Sequence, residues 1–130
     1  MKRNITLLIL SIITIGLLAG ISMKVSAQGH KESTSKVTVK GEVLDLACYI
    51  GHGAKGLKHQ QCALTCLKSG QPMGLLTADG KVYLLLADHQ DNKAFEETKN
   101  YAALQVEIKG PSYSRDGINA ITVESVKKIK

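Results

Sequence analysis

The side chains of this sequence that could do chemistry are concentrated between residues 48 and 66. All three cysteines of the chain, Cys48, Cys62 and Cys66, lie in this stretch together with His52 and His59. Thiolate and imidazole are the donors that zinc and copper ions prefer in proteins. This segment is therefore where we expect a metal site.

The spacing within the segment fits ligands on a helix. His59, Cys62 and Cys66 follow one another at intervals of three and four residues, which places them on one helical face. Cys48, at the end of the first predicted strand, supplies a fourth donor. Together the four residues predict a Cys3His site for tetrahedral zinc, and copper(I) accepts the same thiolates.

Two nearby side chains are further ligand candidates. His52 and Met73 lie close to the four residues in sequence and could supplement or replace one of them. The expected cofactor is thus a zinc or copper ion, and the sequence leaves the choice open because both ions take sulfur and imidazole donors.

The same cysteines also fit a disulfide. Outside the cytoplasm, paired cysteines usually form a bridge, and Cys48 joined to Cys62 or to Cys66 would tie the segment to the rest of the domain. Either pairing leaves one thiol, free or redox-active. A redox role requires a lowered thiol pKa, which His59 or a helix N-terminus could supply. Metal binding, a structural disulfide and thiol exchange all stay open at this stage.

No other catalytic pattern is present in the sequence. It lacks a Gly-x-Ser-x-Gly motif, a phosphate-binding glycine loop and the Cys-x-x-Cys-His motif of covalent haem. The carboxylates are scattered singly or lie on a solvated face. We therefore expect a binding protein and not an enzyme.

Residues 1–27 have the pattern of a signal peptide. Lys2 and Arg3 precede an apolar run over residues 5–21, and residues 25–27 (Val-Ser-Ala) supply the small side chains that signal peptidase requires. If the leader were kept, the apolar run would be a membrane anchor of minimal length. The cleavage pattern favours removal, so we expect a periplasmic or secreted protein without a stable membrane span.

The charge of the chain is modest once the leader is set aside. The formal net charge is +6, and three of the cations (Lys2, Arg3 and Lys24) lie in the leader, which leaves +3. This excess is too small to indicate nucleic-acid binding, and the tyrosines are not interleaved with a basic cluster. The expected partner is a metal ion, with another envelope protein or a small anionic ligand as alternatives, and no nucleic acid.

The remaining pattern predicts a polar lead-in at residues 28–36 and a mainly β domain at 37–130. The predicted elements are a strand at 37–46, a loop at 51–56, a helix at 59–68, a hairpin of 73–77 and 81–87, a helix at 91–103, a strand at 104–109, a turn at 110–117 and a strand at 118–129. Five strands with a helix between the third and fourth is the order of the OB-fold, a Greek-key barrel. The Cys/His segment becomes an insertion at 48–72 between strands 1 and 2. An unclosed α+β sheet of the same elements is the alternative.

The strand sequences also resemble a known family. Residues 38–43 (Thr-Val-Lys-Gly-Glu-Val), 106–110 and 121–129 look like the first, fourth and fifth strands of small exported bacterial OB-fold proteins. The resemblance implies a periplasmic domain that binds ligands. The insertion departs from that plain barrel, and its Cys-Tyr…His-x-x-Cys-Ala-x-x-Cys pattern is similar to a segment of uncharacterised exported bacterial proteins.

Overall fold

The computed structural model describes residues 35–129 of the chain. The predicted signal peptide at 1–27 lies outside the described residues, as does most of the predicted lead-in. Within the described part, none of the helices is long and apolar enough to cross a membrane.

The described residues form strands with short helices between them. In chain order the elements are β1 (Ser35–Asp45), α1 (Leu46–His52), a 3-10 helix (Leu57–His59), α2 (Gln60–Lys68), β2 (Met73–Leu76), β3 (Val82–Leu86), α3 (Lys93–Thr98), a second 3-10 helix (Lys99–Tyr101), β4 (Gln105–Arg115), β5 (Ile118–Thr122) and β6 (Ser125–Lys128).

Five of these strands close into a barrel. The sheet order is β1-β2-β3-β5-β4, with β3 and β5 parallel, and the antiparallel pairing of β1 with β4 closes it. This is the connectivity of an OB-fold-like barrel. The predicted fold class, including helices inserted between strands 1 and 2, is confirmed, and the open-sheet alternative is wrong.

The barrel is filled by aliphatic side chains. Val43, Leu75, Val106, Ile108 and Ile121 are completely buried in its interior. Such β-branched and leucine side chains pack well between curved strands. The strand alternation that the sequence shows is therefore the alternation between core and solvent.

The last predicted strand is divided by a bulge. In β4, Ile108 pairs with Val126 and Ser112 pairs with Ile121. Between these two pairs, the segment opposite β4 has one residue more than β4 itself. One extra residue on one strand is the definition of a β-bulge. Gly110 faces it, and a Cβ there would lie 1.8 Å from the carbonyl oxygen of Thr122. Only glycine fits at this position without a local rearrangement.

Several predicted boundaries are wrong. Residues 46–52 form helix α1, where the end of a strand and the start of a loop were expected, so Cys48 lies on a helix and not at a strand tip. β4 continues to Arg115 through the predicted turn, because β1 and β5 both pair with it there. The turn is confined to Asp116 and Gly117, which both have positive φ, as a tight hairpin turn requires. The helix predicted at 91–103 ends earlier, since Ala102 already bridges to Val43.

Candidate metal centre

Helix α1 positions Cys48 and is capped at both ends. Asp45, the last residue of β1, accepts hydrogen bonds at Oδ1 from the backbone N–H groups of Ala47 (2.9 Å) and Cys48 (3.5 Å). At the other end Gly53 is left-handed (φ 68°) and donates its N–H to the carbonyl of Tyr49 at 2.8 Å. A helix of two turns is not stable by itself, so these caps hold Cys48 in place.

The side chain of Leu46 seats α1 on the barrel. It packs over β2 at Gly74, where an added Cβ would lie 2.5 Å from Leu46 Cδ2. The N–H of Leu46 also donates to the carbonyl of Pro72 at 2.9 Å. The position of α1, and with it that of Cys48, therefore depends on the absence of a side chain at Gly74.

Helix α2 carries Cys62 and Cys66, as predicted. Its residues Ala63 and Leu67 are buried in the barrel core, while Gln60 Nε2 donates to the carbonyl of Ala102 at 3.3 Å. Because the two cysteines are one turn apart beside this buried stripe, they lie close to the barrel wall and face the same region. The packing of α2 thus fixes both thiols together.

The three thiols converge. The sulfur atoms of Cys48, Cys62 and Cys66 all lie within 4.8 Å of one another, and all three thiols are free. In a tetrahedral zinc site with a Zn–S distance of about 2.3 Å, neighbouring sulfur atoms are about 3.8 Å apart. The thiols therefore need to approach by no more than about 1 Å to share an ion. They lie close enough to bind a metal ion.

A second group shares Cys48. One carboxylate oxygen of Asp45, the sulfur of Cys48 and one ring nitrogen of His59 also lie within 4.8 Å of one another. Asp45 Oδ2 and His59 Nε2 are buried, and neither makes a hydrogen bond of normal geometry. Among residues 35–129, they are the only buried side-chain N or O atoms without such a bond. Buried polar atoms without partners are rare because they are costly. Asp45 and His59 therefore offer further donor atoms beside Cys48.

The electrostatics of Asp45 and the thiols are linked. Burial raises the pKa of Asp45. Contacts with the thiols of Cys48 and Cys66 and with the backbone amides of Ala47 and Cys48 lower it by more, so the pKa lies below its usual value. The same contact with Asp45 raises the pKa of Cys48 to about 12 and raises that of Cys66. At neutral pH both thiols are therefore protonated in the metal-free protein, and a metal ion must displace their protons.

The other predicted site residues lie in different surroundings. His52 is the exposed last residue of α1 and belongs to neither of the two groups. Met73 is 2% exposed and packs in the hydrophobic core. Their roles as ligands stay predictions. So does the disulfide between Cys48 and Cys62 or Cys66.

Asp45 is not among the predicted site residues, because the alternating pattern of residues 37–46 predicts a strand there. The available signal was an aspartate followed three residues later by the first cysteine, since Asp is a preferred N-cap residue. It was obscured because the segment that follows, Leu-Ala-Cys-Tyr-Ile, is short and apolar and continues the pattern of a buried strand.

Comparison with protein-family models, with curated proteins and with solved structures finds no match to this chain. The convergence of the three thiols is thus the basis on which a function can be assigned.

Proposed function

We propose that this chain is an exported metal-binding module of the cell envelope that holds one zinc or copper ion. Cys48, Cys62 and Cys66 are the thiolate ligands and His59 is the fourth. The observation that carries the proposal is the convergence of three thiols from two separate helices within 4.8 Å. Export is inferred from the leader pattern of residues 1–27 and from the resemblance of the strands to exported OB-fold proteins.

The scaffold supports binding because the ligands are held before the ion arrives. α1 is capped by Asp45 and Gly53, and α2 is fixed by the burial of Ala63 and Leu67. Ligands on preorganised elements lose little conformational entropy on binding. His59 contributes a buried Nε2 that has no hydrogen bond, and imidazole nitrogen is a donor that either ion accepts.

The raised pKa values of Cys48 and Cys66 argue against thiol exchange by these two residues. Exchange requires a thiolate, which reactive cysteines obtain from a lowered pKa. Here the carboxylate of Asp45 raises the pKa of Cys48 to about 12 and also raises that of Cys66. A metal ion overcomes this barrier because it bonds directly to the thiolate.

The test is the metal content of the purified protein measured by elemental analysis. We expect one equivalent of zinc or copper in the wild type and a loss of bound metal in Cys62→Ser. Cys62 is exposed, so this substitution leaves the core unchanged. Gln61→Ser, at the neighbouring exposed position of α2, is the matched control and should keep the metal. Unchanged metal content in Cys62→Ser would contradict the assignment.

Thiol titration separates metal binding from the disulfide alternative. With metal bound, the thiols are protected until a chelator is added. With Cys48 bridged to Cys62 or Cys66, two of them are revealed only by a reductant, and the third reacts at once.

A cavity on the barrel favours ligand binding as a second candidate function. It has a volume of about 980 Å³ and lies at the ends of β3, β4 and β5, lined among others by Leu86, Asp88, Tyr113 and Ile118. This is the size of a small-molecule site, which is usually apolar with a few polar groups. Fragment screening by amide NMR tests it: shifts centred on Ile118 would support a ligand site, and an absence of shifts there would exclude one.

A further inference from the structure

Among residues 35–129, Asp45 is the one carboxylate grouped with a cysteine of the centre, and it is almost completely buried. Only 2% of the residue is exposed. Oδ1 is engaged by backbone amides of α1, whereas Oδ2 makes no hydrogen bond of normal geometry. Capping accounts for Oδ1, and the carboxylate also contacts the thiols of Cys48 and Cys66. Asp45 therefore lies directly beside the proposed ligands.

The negative charge of Asp45 forms no salt bridge with a lysine or arginine among residues 35–129. The carboxylates of Glu96, Glu107 and Glu124, in contrast, pair with lysines. The charge is stabilised instead by the thiols of Cys48 and Cys66 and by backbone amides of α1. A cation bound to these sulfur atoms would also be attracted by the carboxylate, and an ion of higher charge would be attracted more strongly.

We propose that Asp45 makes the centre selective for a divalent ion, Zn²⁺, over monovalent Cu⁺. This inference depends on the proposed metal-binding function and identifies the ion. Three thiolates alone suit Cu⁺ at least as well as Zn²⁺, because both accept soft donors. The carboxylate changes the balance in two ways: oxygen is a donor that Zn²⁺ accepts readily, and the added negative charge attracts the divalent ion more strongly than the monovalent one.

Asp45→Asn separates selectivity from helix capping. Asparagine is as good an N-cap residue as aspartate, so the bonds to Ala47 and Cys48 can persist while the charge is removed. Asp79→Asn is the matched control, because Asp79 is exposed in the turn between β2 and β3 and the Asn-Gly sequence it creates also suits a turn. Asp45→Ser is a second variant that keeps a capping oxygen.

The experiment measures Zn²⁺ and Cu⁺ affinities separately, by competition with a chromophoric chelator for each ion under anaerobic reducing conditions. We expect the wild type to prefer Zn²⁺. In Asp45→Asn and Asp45→Ser the Zn²⁺ affinity should fall about 10- to 100-fold, the range typical for residues that support metal ligands. The Cu⁺ affinity should fall less than the Zn²⁺ affinity, because a monovalent ion is attracted only about half as strongly by the carboxylate. Asp79→Asn should match the wild type for both ions.

Each other outcome overturns the inference. An equal loss of both affinities in the Asp45 variants would show that Asp45 acts only by placing Cys48. Unchanged affinities would show that its charge does not reach the ion. If neither variant folds, the wild type decides, and a preference for Cu⁺ would contradict the inference. Failure of the proposed metal-binding function gives a different result: the wild-type protein would then bind neither Zn²⁺ nor Cu⁺ stoichiometrically.

Discussion

The position of α1 on the barrel can be tested with two glycine substitutions that differ only in the space around them. At Gly74 an added methyl group would lie 2.5 Å from Leu46 Cδ2 and 2.9 Å from Leu46 Cγ. Leu46 is itself buried, so the methyl group must displace the side chain that holds α1 on the barrel. At Gly51, within α1, no atom lies within 4 Å of such a methyl group and φ is not positive.

The two substitutions should have opposite effects on stability. Overpacking of a buried site costs about 1–3 kcal/mol, so Gly74→Ala should lower the free energy of unfolding of the metal-free protein by that amount. Gly51→Ala should raise it by about 0.5–1 kcal/mol, because alanine is the better helix former. Urea unfolding of the metal-free proteins measures both changes.

The two variants should also differ in metal affinity, which should fall in Gly74→Ala and stay unchanged in Gly51→Ala. A displaced α1 carries Cys48 away from Cys62 and Cys66, and returning it to the ion costs up to the same 1–3 kcal/mol, which weakens binding by about 5- to 140-fold. Gly51→Ala should bind the metal as the wild type does. If Gly74→Ala were destabilised yet kept wild-type metal affinity, the claim that the seating of α1 determines the centre would be refuted.

Three other predictions follow from the same structure. Leu67→Ala, in the buried face of α2, should cost about 2–5 kcal/mol in the free energy of unfolding and weaken metal binding, whereas Leu57→Ala at an exposed position should do neither; equal effects would contradict the packing of α2. Gly110→Ala should destabilise the barrel, because its methyl group meets the carbonyl of Thr122 at the bulge, and a wild-type unfolding curve would exclude that crowding. Because the pKa of Cys48 is raised on folding, to about 12 from a reference value of 9.0, its contribution to the stability of the metal-free protein is complete below about pH 9 and is lost as the pH rises towards 12. Urea unfolding at about pH 8 and about pH 10 should show this loss in the wild type and a smaller one in Asp45→Asn, and equal losses would refute the contact.

The barrel could be predicted from sequence because its signals are local. Alternating valines and isoleucines mark the strands, and the Asp-Gly turn at Asp79 marks the β2–β3 hairpin. The division of the last strand could not be predicted, since the bulge depends on how residues 118–128 pair with β4. The need for glycine at Gly110 becomes visible only with Thr122 beside it.

The metal centre could be predicted only in part, because only some of its residues have a local signal in the sequence. Cys62 and Cys66 share a helical face through their spacing alone. The approach of Cys48 depends on α1, which the apolar segment after Asp45 conceals, and on its seating over Gly74. The burial of Asp45 beside the thiols is a consequence of tertiary packing and has no local signature.

X-ray absorption at the metal edge of the loaded wild-type protein identifies the atoms bound to the ion. We expect a first shell dominated by three sulfur atoms, at about 2.3 Å for zinc, because Cys48, Cys62 and Cys66 bind one ion together. A first shell of nitrogen and oxygen without sulfur would contradict this assignment.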